Sequence, residues 1–285
     1  QDDGKGLDEG GTGATAYGDA VAVYLALIIS KTTDSNNALC PWEPAAQCSR
    51  QLFGRHAIPM VWDFAEANPL HKSSGGLVKN IDISLGSFNL WCSTEVQGFA
   101  WQQDVIKQSV SSGKILSIDP PYYDNIGYAD LSDFFFVWLR VSLKPFFPKL
   151  FATLTVPKTE ELVATPYRHI TKEKAESFFL DGMTQAMQRL AKQGHPAYPI
   201  TIYYAFKQSE GKSSSGISST GWETFLEAII RAGFCLTGTL PVRTEMTAAL
   251  KSLTNSLASS IVLVCRKSNE NSPAITRREF TNALK

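Results

Sequence analysis

The chain has 285 residues and a mass of 31.3 kDa, with 44% apolar and 19% charged residues. That balance excludes a wholly disordered chain, a collagen and a disulfide scaffold, and it supplies one large core or two modest ones. Lys+Arg 27 against Asp+Glu 27 gives zero formal charge, which counts against a free-standing nucleic-acid binder held by a basic surface.

Residues 1–13 are acidic and Gly-rich, an expected mobile tail without the basic n-region of a signal peptide. Tyr17 to Ser30 predicts a helix, with Val21, Tyr24, Leu25 and Ile28 at helical spacing. The longest apolar run, Ala20 to Ile29, is ten residues and too short to span a bilayer. Residues 33–50, with Asp34, Asn36, Asn37, Pro41 and Pro44, predict a loop. Phe53 to Ala67 is mostly apolar and interrupted by Pro59, and His71 to Asn80 predicts a flexible connection. Residues 14–91 thus form a mainly helical segment.

From residue 92 the pattern becomes alternating strands and helices. Lys114 to Asp119 is a short apolar run that stops at Pro120 and Pro121, a buried strand running into a loop. Leu131 to Leu143 and Lys172 to Lys192 predict helices, the second with Thr171 as N-cap and Gly194 at its end. Pro199 to Phe206 is a β-branched and aromatic strand, and Lys207 to Ser219 a Ser/Gly-rich surface loop. Thr220 and Glu223 have the spacing of a capping box for a helix ending at Ala232–Gly233. Phe234 to Leu240 and Ser260 to Arg266 predict two more strands, before a polar tail over 268–285. Residues 92–267 therefore predict a layered α/β domain with a largely parallel sheet, whose function gathers at the carboxyl ends of the strands.

The cysteines are Cys40, Cys48, Cys92, Cys235 and Cys265, with no C-x-x-C pair. Scattered thiols of that kind fit a reduced, soluble cytoplasmic protein that does not engage a membrane.

Asp119-Pro120-Pro121-Tyr122 lies at the carboxyl end of a predicted strand. Two prolines fix φ and lack N–H groups, so the loop is stiff and offers carbonyl oxygens without competing donors. Asp119 adds a carboxylate acceptor and Tyr122 a flat ring. An exocyclic amino group can donate one hydrogen to Asp119 and the other to the Pro120 carbonyl, which turns its lone pair out of conjugation. A base buried in a duplex must be flipped to reach such a loop. Tyr122 then has a face to stack on it, worth roughly 1–3 kcal/mol by analogy with single-strand binding.

The tetrapeptide resembles the Asp/Asn-Pro-Pro-Tyr motif of S-adenosylmethionine-dependent amino methyltransferases. The flank Ile118 to Phe135 resembles one family among them, the large zinc-ribbon-associated adenine-specific DNA methylases that carry a region designated DUF1156. Phe53 to Pro69, Glu161 to Arg168, Tyr203 to Gln208 with Ser219 to Glu223, and Ser256 to Arg266 are similar to that family as well. The resemblance covers roughly residues 14–267. It implies a class I (Rossmann-like) methyltransferase fold and methylation of adenine N6 in DNA, with S-adenosyl-L-methionine as the cofactor. Asp119, Pro120, Pro121 and Tyr122 are the implied catalytic residues, and Asp119 also borders the cofactor. Gly98, in Gln97-Gly98-Phe99-Ala100-Trp101, is the implied point of close approach to the cofactor, although an ordinary turn accounts for it equally. Other acceptors, RNA adenine or cytosine N4, fit the same residues.

Two family features have no counterpart. The Gly-rich Asp-Pro-Phe-x-Gly-x-Gly cofactor loop that precedes the motif is missing, and so are the zinc-ribbon cysteines. Gly11-Thr12-Gly13-Ala14-Thr15-Ala16 has the spacing of a dinucleotide loop, but the residues before it cannot form the required buried strand. The expectation is a class I fold incomplete at its N-terminal side: the C-terminal part of a longer methylase, or a non-catalytic half. Either works with a chain or domain that supplies the cofactor-binding strands. Asp119, Asp124, Asp130 and Asp133 form an acidic run that is not read as a metal site: Asp130 is the expected cap of the helix starting near Leu131, and Asp133 lies in its first turn, where negative charge is favourable. His56, His71, His169 and His195 are isolated, and no metal site is expected. Phe134 to Leu139 reads as core, and Lys158, Arg168, Lys172, Lys174, Arg243 and Lys251 as solvated cations.

Overall fold

The structure is a computed structural model that describes residues 2–54, 57–72, 75–91, 98–123, 126–204, 220–242 and 260–268. The 207–219 loop, His56, Cys92, Gln97, Asp124, Arg243, Lys251, the Thr220 side chain of the expected capping box and the tail from 269 lie outside them. The chain divides into one unit of Gln1–Gln102 with Gly127–Glu161 and a second of Gln103–Ile126 with Leu162–Lys285. Residues 127–161 belong to the first unit, a return of the chain that no shift in composition announces.

In the first unit, the lead-in is held by its own carboxylates. Asp2 accepts from the Thr15 amide (3.1 Å) and hydroxyl (2.7 Å), which holds its carboxyl below the usual range, and Asp3 accepts from the Thr12 amide (2.9 Å). A 3-10 turn over Leu7–Glu9, not a strand, precedes Gly13, so the dinucleotide-loop spacing is incidental. Helix α1 spans Ala14–Thr33, three residues longer at each end than the predicted Tyr17–Ser30. At 20 residues it is long and apolar enough to cross a membrane by length and composition alone, although its unbroken apolar run is ten residues. The count stopped at Asp19 and Ser30, but a helix continues through isolated polar residues whose backbone bonds stay intact.

The predicted loop 33–50 contains a minimal antiparallel pair, β1 (Trp42–Glu43) and β2 (Cys48–Ser49). Helix α2 (Leu77–Trp91) begins inside the stretch expected to be a flexible connection. Buried Asn80 of α2 donates to Thr32 of α1 (3.0 Å), and Tyr24 meets Phe88 edge-on at 4.6 Å. Helix α3 (Tyr128–Leu143) buries Phe136 and Leu143 with Ala26 and Phe151. Phe134 and Phe135 are half-buried against Phe53, so that run is core in part, while Trp138 is exposed.

Asp130 does not cap α3. It lies in the first turn, after Gly127 at the N-cap position. The amide of Ala129 instead donates to Glu161 (2.9 Å), a carboxylate from far along the chain. Asp133 accepts from the Val156 amide (2.9 Å) and from Lys158 (2.7 Å), fastening the returning segment to the helix. Lys158 is thus an ion-pair partner rather than a solvated cation.

The second unit is built on a four-stranded sheet of order β3-β4-β6-β5. Strand β3 is Ser117–Ile118, shorter than predicted at both ends; Pro120, which cannot continue a ladder, limits its C-terminal end. Helix α4 is the single turn Pro166–His169, and α5 spans Lys172–Gln193, with the Thr171 hydroxyl accepting from the Lys174 amide as expected. Strand β4 is Ile200–Tyr204, helix α6 Thr220–Arg231, β5 Phe234–Val242 and β6 Ser260–Lys267. Gly233, at φ 84°, turns α6 into β5 through the left-handed region.

Strands β3 and β4 pair in parallel, but β6 enters between β4 and β5 and runs antiparallel to both. The sheet is mixed, which corrects the largely parallel expectation. Alternating helices dictate parallel crossovers, whereas β5 and β6 have no described helix between them and pair directly. Phe179, Met183, Ala186 and Met187 of α5 and Phe225, Ala228 and Ile229 of α6 share one core with Ile200, Ile202 and Tyr204 of β4 and Leu263 and Cys265 of β6.

Burial pushes the Cys265 thiol up to about 11, while Cys235 on β5 is exposed. Because the thiolate is the reacting form, a thiol reagent at pH 8 modifies Cys235 in the native chain and leaves Cys265 untouched until denaturant is added. Peptide mapping of labelled sites checks this.

Candidate active site

Strand β3 delivers the predicted site residues to one place. Pairing of Ser117 with Thr201 and Ile118 with Ile202 in parallel sets Asp119 one step past β3, beside the carboxyl end of β4. Each proline forces the residue before it towards extended backbone, so residues 119–121 leave the sheet without curling back. Asp119 is exposed, Pro120 buried, and Pro121 and Tyr122 half-buried. The Tyr122 hydroxyl donates to Asp119 Oδ1 at 3.4 Å, a long bond at an exposed position and therefore weak.

Tyr123 ties this loop to the core. It is buried, its ring meets Phe179 edge-on at 5.2 Å, and its carbonyl accepts from the Ala164 amide at 2.8 Å. Helix α6 approaches the same ring so closely that a Cβ at Gly221 would stand 2.8 Å from Tyr123 Cγ. Only glycine lets α6 start here.

Around Tyr122 stands an aromatic wall. Tyr122 meets Tyr204 edge-on at 5.6 Å, Tyr204 stacks on Phe225 at 4.2 Å, and Trp222 lies 5.7 Å from Tyr204. Tyr204 ends β4 because its alternation places Ile200, Ile202 and Tyr204 on the buried side. Tyr204, Trp222 and Gly221 carry no role in the sequence reading, although Tyr203 to Gln208 and Ser219 to Glu223 enclose them. Alternation along Ile200–Tyr204 was the available signal for Tyr204.

The structure thus brings together Asp119, Pro120, Pro121 and Tyr122. It does not bring Gly98 to them within one unit: Gly98 lies in the first and Asp119 in the second. Gly98 is exposed, and a Cβ there would meet nothing within 4 Å, so no close approach demands glycine. Among the described residues, no group of three His, Cys, Asp or Glu side chains is placed to hold a metal ion.

Arranged in this way, the site can accept two hydrogens from a planar amine and lay an aromatic ring beside it. The described residues define a mixed α/β protein with a polar acceptor loop at its strand ends. No protein-family model, curated protein or solved structure matches the chain.

Replacing Gly221 with Ala drives a methyl group into the root of a buried ring. Overpacking of this kind costs roughly 1–3 kcal/mol, so Gly221→Ala lowers the melting temperature, whereas Gly18→Ala, where a Cβ meets nothing within 4 Å, does not. Thermal unfolding of the two variants checks the contrast.

Proposed function

We propose that the chain is the acceptor-side part of an S-adenosylmethionine-dependent methyltransferase of class I fold that acts in the cytoplasm on adenine N6 in DNA. One observation carries this reading. Residues from four of the five segments that resemble the adenine-specific methylases meet near the carboxyl ends of β3 and β4, while Phe53 to Pro69 lies in the first unit. The loop after Ile118 lies there, and Ala164, from the 161–168 segment, bonds Tyr123. Tyr204 meets Tyr122 edge-on and in turn packs against Trp222, and Ile261 at the start of β6 pairs with Tyr204. Convergence of distant segments on one set of loops is what a functional site requires.

In this reading the Asp119 carboxylate and the Pro120 carbonyl each accept one N6 hydrogen, orienting the lone pair. Tyr122 stacks on the flipped base, with Tyr204 packed edge-on against its ring. Rate enhancement comes from positioning. S-adenosylmethionine supplies the electrophilic methyl group. The residues present fit the acceptor half of that chemistry and not the donor half, since the Gly-rich loop has no counterpart in the sequence. Donor binding is therefore assigned to a partner chain or further domain. The second reading, a non-catalytic half, draws on the same gap.

Three results test this. Calorimetry of residues 1–285 alone gives S-adenosylmethionine binding weaker than micromolar and no turnover on DNA. Tighter binding with turnover would mean that the cofactor loop lies within this chain. When the donor side is supplied, Asp119→Ala loses at least about a hundredfold in methyl transfer, the scale of one lost preorganised polar contact. It keeps its melting temperature because Asp119 is exposed, and Asp119→Asn, which can still accept a hydrogen bond, loses less. Tyr122→Phe keeps most activity and Tyr122→Ala loses much of it. Equal, full activity of both Tyr122 variants removes the stacking role, and methylation of RNA or cytosine alone reassigns the acceptor.

A further inference from the structure

Between α4 and α5 the chain holds a β-branched residue where glycine belongs. Ile170 has φ 71° and ψ −46°, and the Thr171 amide donates to the His169 carbonyl at 2.8 Å across it. This is a γ-turn of the strained hand. Among the described non-glycine residues only Gln47 shares a positive φ, and Gln47 is not β-branched. The strain gains no burial, because Ile170 is 86% exposed. Both neighbours are fixed: the His169 ring stacks on Phe178 at 4.3 Å, and Thr171 caps α5. An apolar side chain is thus held out in solvent by an unfavourable backbone between two anchored residues. A cost of this kind, with no return in stability, marks function.

The turn belongs to the same unit as Asp119. Ala164, whose amide bonds Tyr123, precedes Ile170 by six residues, four of which form α4 and rise only about 6 Å. Arg168, Lys172 and Lys174 flank the turn in sequence, with Glu173 and Glu176 among them; Arg168 lies over the Tyr167 ring at 5.7 Å, and Lys172 faces Glu176 at 3.8 Å. An exposed aliphatic residue beside cations is the form in which proteins insert a side chain between base steps.

We propose that Ile170 is a wedge that enters the base stack of duplex DNA at the space vacated by an extruded adenine. The inference rests on the methylase reading and adds to it the element that makes flipping favourable, since a vacated stack otherwise collapses on the returning base. Short duplexes carrying 2-aminopurine in varied sequence contexts, mixed with residues 1–285, provide the test through the fluorescence of the unstacked base. The wild-type chain raises the signal on matched duplex. Ile170→Gly lowers the flipped fraction at least about tenfold, and Ile170→Leu keeps it. Ile170→Gly recovers when the 2-aminopurine faces an abasic site, where extrusion is cheap. Its melting temperature is unchanged or raised, because glycine accepts the positive φ, which separates this role from a structural one. Equal signals from wild type and Ile170→Gly on matched duplex overturn the wedge and leave the methylase reading standing. No signal from the wild type on any duplex overturns the wedge, while the methylase reading stands or falls separately on methyl transfer by the Asp119→Ala variant with the donor side supplied. A signal confined to hairpin RNA overturns the wedge in favour of an RNA acceptor.

Discussion

The second unit depends on the seating of Tyr123. Its ring lies in the core against Phe179, its face supports the start of α6 at Gly221, and its carbonyl anchors the 162–165 segment through Ala164. A single side chain therefore fixes the direction of the loop from β3, the entry of α6 and the approach to α4. Asp119 can remain exposed and Tyr122 half-buried because the residue after them bears the packing. Stiffness comes from the two prolines and position from Tyr123, so the loop needs few hydrogen bonds of its own to hold a shape.

Much of the second unit was legible in the sequence. The Thr171 cap, α5, Gly233 and β6 follow from local rules that tertiary context did not override. The mixed sheet was not legible, because periodicity identifies strands and not their direction, and β6 reads the same in either sense. Helix α2 was missed because its start follows a Ser/Gly-rich stretch that suggested a flexible connection, and its Gly86 and Asn89 dilute the helical pattern. Asp130 was misassigned as a cap because the amide-accepting carboxylate, Glu161, lies 32 residues from Ala129, beyond the reach of any local rule.

The candidate site was legible in its chemistry and not in its surroundings. Asp119-Pro120-Pro121-Tyr122 announces itself through residue types whose joint behaviour is fixed before folding. Tyr204 and Trp222 announce nothing alone, since an aromatic at a strand end or in a first helical turn is ordinary. Their meaning arises from the parallel pairing of β3 with β4, which brings Tyr204 beside Tyr122 across more than 80 residues of sequence. Gly98 shows the opposite case: a glycine in a suggestive sequence position whose surroundings ask nothing of it.

The antiparallel entry of β6 has a consequence for the strand ends. In a parallel pair both carboxyl ends open on the same side, which is where loops can converge. Because β6 runs the other way, its first residues rather than its last reach that side, and Ile261 pairs with Tyr204 there. The last described strand therefore contributes its beginning to the same edge, where Ser260 is buried. A fully parallel sheet would have placed Arg266 and Lys267 at that edge instead. The reversed strand thus puts apolar and hydroxyl residues beside the aromatic wall and sends the charged end of β6 to the far side. Among the described residues, Arg266 and Lys267 are thereby kept from the ring of Tyr204, and Asp119 supplies the carboxylate of the 119–122 loop. Strand direction is thus itself part of the electrostatic arrangement around the 119–122 loop.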